Sequence, residues 1–236
     1  MPPSPAPPCV THTTITHPPI FCPSRCPLQH FNDVYTIEPG NFKPGDPTAI
    51  AGGAARFASK LSEFKAANPL VLFSGDAFNP SSLSQITKGK HMIPVLNQLG
   101  VHVACMGNHD LDFGLDNYVE LVKGSTFPWL LSNVYDKATG QPFANSPTTH
   151  TIVHEGIKIG FVGLVESDWL DTLGAVDPST IEYRDMFKVG SELATKLREE
   201  GCAYIMAITH SRLPNDELTA EKCPEIDMVL GGHDHE

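Results

Sequence analysis

Five short apolar stretches of this sequence each run straight into a carboxylate, an amide or an imidazole. Residues 28–31 lead to Asn32-Asp33, residues 70–73 to Ser74-Gly75-Asp76, and residues 101–106 to Gly107-Asn108-His109-Asp110. Residues 205–209 lead to His210, and residues 228–230 to Gly231-Gly232-His233-Asp234-His235. Carboxylate, amide oxygen and imidazole together form a donor set for zinc, manganese or iron. Gly75, Gly107, Gly231 and Gly232 let the backbone pass close to a ligand at those same points. Any one of these clusters reads as ordinary turn chemistry. The same arrangement after five separate stretches does not.

For these groups to act together, the stretches must be strands that end on one rim. In an open α/β sheet the ligand crevice lies outside the carboxyl ends of the strands, so parallel neighbours bring all five clusters together. The pattern between them agrees. Ala51, Ala54, Ala55, Ala58, Leu61 and Phe64 form one stripe of a helix over 49–67, stopped by Asn68-Pro69. Residues 70–73 are wholly apolar, as in a strand buried on both faces. A helix over 81–98, interrupted by Gly89 and Pro94, is expected to break in two. Strands are predicted at 101–106 and 129–133, with a helix at 115–123. Residues 151–154 and 158–165 flank Glu155-Gly156 as a hairpin. An amphipathic helix over 185–200 ends at Gly201, and strands at 203–209 and 227–230 enclose a helix at 214–222. Such alternation specifies an α/β fold built on buried sheet.

Composition narrows the function. Of 236 residues, 41% are hydrophobic and 18% charged, which suits a chain with a true core. Lys and Arg number 16 against 27 Asp and Glu, a net charge of −11, so nucleic acid is not an expected partner. No stretch approaches the ~18 to 20 apolar residues of a membrane span, so no membrane is expected either. The N-terminus lacks the basic start and apolar run of a secretory signal, and no Asn-x-Ser/Thr acceptor with x other than Pro occurs. Both absences favour an intracellular protein. Residues 1–27 contain nine Pro, no acid and the single base Arg25, and read as a disordered, extended leader. Cys22, Cys26 and His30 lack a fourth zinc ligand at sensible spacing. Cys105 and Cys202 sit in apolar runs, as buried free thiols do.

The ordered set Asn-Asp-Val-Tyr (32–35), Gly-Asp-Ala-Phe-Asn-Pro (75–80), Gly-Asn-His-Asp-Leu-Asp (107–112), Thr-His (209–210) and Gly-Gly-His-Asp-His (231–235) resembles that of the calcineurin-like metallophosphoesterases. Residues 30–39 and 108–114 are similar to the 5'-nucleotidase branch. The resemblance covers 28–236 and implies a catalytic domain folded as a two-sheet αββα sandwich. It implies two divalent metal ions (zinc, manganese, iron or cobalt), with Asp76 bridging them. Asp33 and His235 would hold the first, and Asn108, His210 and His233 would complete the second. A shared carboxylate offsets the repulsion of two cations ~3.5 to 4 Å apart. His109 would stabilise the transferring phosphoryl group or the leaving oxygen, oriented by Asp112. The implied reaction is hydrolysis of phosphate monoesters, nucleoside 5'-monophosphates foremost, by a hydroxide that the two metals generate. Its partner would be a small nucleotide or other phosphate ester.

Three departures stand out. Many members of the family carry Asp-x-His in the first motif, where this chain has Asp33-Val34-Tyr35. A phenol of pKa ~10 is a poor ligand for a divalent ion, so the first metal is expected to have fewer protein ligands, to bind more weakly or to be held through a water instead, with Tyr35 open between packing and coordinating. Pro27 would remove a ladder donor from what the family makes an interior strand. The resembled nucleotidases also continue into a second domain that supplies base-stacking aromatics and a phosphate-binding arginine. Ending at Glu236, this sequence reads as the catalytic part alone, with its second sheet incomplete. Two alternatives share the same motifs: a phosphodiesterase or broad phosphatase, and an inactive metal-binding fragment.

Overall fold

The computed structural model describes residues 27–41, 46, 48 and 50–235. The Pro-rich leader expected at 1–27, Pro27 excepted, lies outside the described residues together with Cys9, Cys22 and Cys26. The first half of the chain opens with β1 (Leu28–Phe31), then β2 (Gly40–Asn41) and β3 (Ile50–Ala51), which pair as a short antiparallel ribbon. There follow α1 (Ala54–Ser62), β4 (Leu70–Phe73), α2 (Ser82–Thr87), α3 (Met92–Leu99), β5 (Val103–Cys105), α4 (Leu115–Val122) and β6 (Trp129–Leu130). The second half carries β7 (Val134–Asp136), β8 (Thr149–His154), β9 (Ile157–Val165) and β10 (Ile181–Tyr183). It closes with α5 (Met186–Glu199), β11 (Tyr204–His210), α6 (Leu213–Lys222) and β12 (Met228–Leu230).

Two four-stranded sheets organise these elements. One is all parallel in the order β1-β4-β5-β6; the other runs β12-β11-β9-β8, antiparallel only between β8 and β9. The second sheet shows period-two alternation. Phe161, Val165, Tyr204, Met206 and Ile208 face the first sheet and share its core with Leu72, Cys105 and Leu130. Val162, Leu164, Ile205 and Ala207 face the other way, against Met186, Val189, Ala194 and Leu197 of α5. On the outer side of the first sheet, α3 contributes Leu96 and α4 contributes Tyr118, whose ring meets Trp129 edge-on. The result is the expected helix–sheet–sheet–helix layering.

The sheets touch through polar groups as well as apolar ones. Ser132 N donates to Gly163 O at 2.6 Å and Gly163 N to Ser132 Oγ at 2.8 Å. The Asn133 amide likewise donates to Val165 O at 2.8 Å and accepts from Val165 N at 3.0 Å. A Cβ at Gly163 would lie 2.6 Å from Leu130 Cβ, so only glycine permits this approach.

Several expectations require correction. The helix expected over 49–67 is regular only at Ala54–Ser62, followed by a 3-10 turn at Lys65–Ala67. Gly52 and Gly53 hold φ of 68° and 85°, which no helix accommodates, and residues before them are extended. The helix over 81–98 breaks in two as expected, at Gly89, but Pro94 is no interruption: it sits in the first turn of α3, where its missing N–H costs nothing. The strand expected at 129–133 is regular only at Trp129–Leu130. Pro27 does not disrupt an interior strand, because β1 lies at a sheet edge. The Pro27 carbonyl accepts from Leu70 N at 2.9 Å, which leads into the ladder. The antiparallel pair β7 and β10 has no counterpart in the sequence reading.

Candidate metal centre

The carboxyl ends of β1, β4, β5, β11 and β12 meet at one rim, although three belong to one sheet and two to the other. Backbone bonds extend the ladder past the strands: Asp33 N donates to Gly75 O and Val34 N to Asp76 O, both at 3.0 Å. The sheets are tied at the same level, where Ser74 Oγ donates to Leu230 O at 2.8 Å. Asp33, Asp76, His233 and His235 all adopt left-handed backbone, with φ of 51°, 63°, 80° and 60°. Each such residue costs free energy and persists only where its surroundings fix it.

At Asp76 the surroundings are explicit. The buried Asp110 carboxylate accepts from four backbone N–H groups: Asp76 at 3.0 Å, Ala77 at 2.8 Å, Phe78 at 3.1 Å and Gly107 at 2.9 Å. Burial, then the charge of Asp76, pushes the Asp110 carboxyl up to about 7 against those donors. A Cβ at Gly107 would strike the Asp76 carboxylate and lie 2.5 Å from the Asp76 backbone N, so this backbone must be bare.

The structure brings the six expected ligands together. Donor atoms of Asp76, His210 and His233 lie within 4.8 Å of one another. His210 Nε2 is 3.2 Å from Asp76 Oδ2, 3.0 Å from Asn108 Oδ1 and 3.3 Å from His233 Nδ1. On the other side of Asp76, His235 Nε2 is 3.2 Å from Asp33 Oδ1. His233 N donates to Asp33 Oδ2 at 2.8 Å, joining the two sides. Burial alone would push the His210 imidazole down, but the hydrogen bond and charge of Asp76, with the Ser74 carbonyl, raise it to about 9. Burial and the neighbouring His210 charge lower His233.

This set fits divalent cations. It is rich in acceptors, and among the described residues no Lys or Arg pairs with Asp33 or Asp76. His210 Nδ1–H donates to Ser74 O at 2.7 Å, which fixes the tautomer that presents Nε2 to the centre. Asp33, Asp76 and His235 would hold one ion; Asp76, Asn108, His210 and His233 would hold the other.

His109 and Asp112 lie beside the centre. His109 N donates to Asp76 Oδ1 at 2.8 Å, and its ring Nδ1 lies 2.7 Å from Asp112 Oδ2. That bond raises the His109 pKa, and burial opposes it. The His109 side chain is 37% exposed.

Two contributors were not foreseen and a third was left open. Asn79 Nδ2 donates to the same Asp112 oxygen at 2.5 Å, and Asn79 Oδ1 accepts from Ser84 Oγ at 2.6 Å and Gln85 Nε2 at 3.0 Å. Glu166 is buried behind His233, its Oε1 3.9 Å from His233 Nε2. It is held by Arg212 Nη1 at 2.7 Å and Asn215 Nδ2 at 2.5 Å. Glu166 follows the apolar run 157–165, so the strand-end signal that marked Asp33 and Asp76 also marks it. Tyr35, an open question in the sequence, donates its hydroxyl to Asp33 Oδ1 at 2.8 Å. Burial, then the Asp76 and Asp33 carboxylates, raises that phenol above its usual range.

Comparison with known proteins agrees with this geometry. The family model for calcineurin-like phosphoesterases matches residues 27–236. The snake venom 5'-nucleotidase of Gloydius brevicauda is 30% identical over 215 residues, covering 87% of this chain and 36% of that protein. Human 5'-nucleotidase is 28% identical over 216 residues, covering 87% and 37%. Among solved structures, a 5'-nucleotidase precursor from Thermus thermophilus superposes with a TM-score of 0.79 at 22% identity, over 87% of this chain and 41% of that one. A fold of two stacked sheets with a rim of metal donors thus has its class. The chain belongs to the calcineurin-like phosphoesterase family. It spans well under half the length of these relatives.

Proposed function

We propose that this chain hydrolyses phosphate monoesters, nucleoside 5'-monophosphates foremost, with two divalent cations held by Asp33, Asp76, Asn108, His210, His233 and His235. The observation that carries the reading is the convergence on Asp76 of donors from five strand ends in two sheets. When bound, the cations neutralise phosphate oxygens and lower the pKa of water toward ~7. The chain's own residues do the rest. Asp76 is placed to share its carboxylate between both sides. His109 keeps a proton on Nδ1 for Asp112 and turns Nε2 outward, where a protonated ring donates to the leaving oxygen. Asp110 holds the loop that aims Asp76 and the His109 backbone. The nucleotide preference is supported by the 5'-nucleotidases among the relatives. The free, buried thiols Cys105, Cys202 and Cys223 support an intracellular setting. Among the described residues no helix is long and apolar enough to cross a membrane.

The test is elemental analysis of the purified chain with assays on AMP and bis-p-nitrophenyl phosphate, each with added manganese or cobalt. Turnover of AMP but not the diester is expected. Preference for the diester would replace nucleotidase by phosphodiesterase, and metal without turnover would mark an inactive fragment. Asp76→Ala should lose both metals. His109→Ala should keep them and lose about 10²- to 10⁴-fold in rate. Full metal content in Asp76→Ala would remove the bridging role.

A further inference from the structure

The Tyr35 hydroxyl reaches every donor on the Asp33–His235 side of the centre. It donates to Asp33 Oδ1 at 2.8 Å, lies 3.0 Å from His235 Nε2 and lies 3.3 Å from Asp76 Oδ2. The ring is packed between two imidazoles, with centroids 5.6 Å from His235 and 6.0 Å from His109. We infer that the two metal positions are unequal and that Tyr35 makes them so: its hydroxyl competes for the donors of the Asp33–His235 position, which takes a divalent cation more weakly than its neighbour. This rests on the metal-centre reading proposed above.

The two sides differ in donor number and in burial. Beyond the shared Asp76, one side has Asn108, His210 and His233, and the other only Asp33 and His235. The His210 side chain is fully buried and that of His233 is 16% exposed, whereas that of His235 is 60% exposed. A buried, preorganised donor loses little freedom on binding; an exposed one must be ordered as the ion arrives. The Tyr35 hydroxyl adds a further cost. A cation at Asp33 and His235 must displace that hydroxyl from the oxygen and nitrogen it will use. An imidazole at position 35 would instead supply a neutral nitrogen ligand and remove the competing hydroxyl.

The experiment is calorimetric titration of the metal-free chain with manganese, with bound metal counted by elemental analysis. Two events at least about tenfold apart in affinity are expected, a span typical of changes around a metal ligand. Tyr35→His should raise the weaker affinity about tenfold and leave the tighter one unchanged. Tyr35→Phe, which removes only the hydroxyl, should tighten the weaker site, and an unchanged weaker affinity would show that the hydroxyl does not compete and overturn the inference. A weaker site that loses affinity in Tyr35→Phe, or a visible phenolate absorption with ferric iron that Tyr35→Phe abolishes, would make Tyr35 a ligand and overturn the inference. Two equally tight events in the unaltered chain would overturn it too, with the metal centre left standing. Absence of any bound manganese would remove both the inference and the metal centre beneath it.

Discussion

Asp112 Oδ2 takes two hydrogen bonds, from His109 Nδ1 at 2.7 Å and from Asn79 Nδ2 at 2.5 Å. The first fixes the ring; the second fixes the carboxylate that fixes the ring. Asn79 is itself held by Ser84 and Gln85, at and near the start of α2. In the proposed reaction a general acid contributes only when its proton points at the reacting atom, so the rate would depend on this chain of contacts. Asp112→Ala is expected to lower kcat about 10²-fold with metal content unchanged, and Asn79→Ala about tenfold. Because both act through one carboxylate, Asn79→Ala should add little in the Asp112→Ala background. Steady-state kinetics of the four proteins decide this; effects that simply multiply would make Asn79 a fold residue alone. The pairing of His109 with Asp112 was implied by the resemblance that residues 107–112 carry. Asn79 was not, because Asn-Pro reads as a turn and nothing in the sequence says its amide folds back across 33 residues onto Asp112.

The loop after β4 shows how a short element can be set by a distant residue. Residues 74–78 leave the strand with Gly75 and Asp76 both at positive φ, and Asp110 collects the N–H groups that this path leaves unpaired. Buried amides without acceptors are costly, so the carboxylate is what makes the path tenable. Asp110→Asn keeps the volume but turns an amide NH₂ toward backbone donors. It should destabilise the chain by about 1–3 kcal/mol in urea unfolding and lower metal affinity with it. Unchanged unfolding would show that the loop holds its shape unaided. Element by element, the sequence was most readable where runs were long or wholly apolar. The four residues of β4 and the amphipathic stripe of α5 lie where periodicity put them. It failed at Ile50–Ala51, where two glycines end a helical stripe, and at Val134–Asp136 and Ile181–Tyr183. Three residues have no period, and those last two strands exist only because each finds the other.

At the level of architecture, strand-end chemistry was readable but its division between sheets was not. Strands buried on both faces carry no mark of which sheet they join. The seam between sheets at the rim is made by His30, Ser74 and Leu230. Ser74 Oγ gives its proton to Leu230 O, so at 2.7 Å it must accept from His30 Nε2–H. Protonating His30 would place a cation in this seam, and burial accordingly pushes its pKa down to about 4. The unfolded chain takes up that proton near pH ~6.5, before the folded chain does. Between about 6.5 and about 4 the unfolded state therefore binds more protons, so the His30 contribution, complete above that window, is lost as pH falls through it. Thermal unfolding of the metal-free chain should show a drop in Tm across this window that exceeds the drop in His30→Gln, whose amide NH₂ can still donate to Ser74 Oγ. Carboxylates elsewhere titrate in both proteins and cancel in the difference. Parallel Tm–pH curves for the two would mean that His30 titrates alike folded and unfolded, and that the two sheets are joined at this rim without regard to its charge.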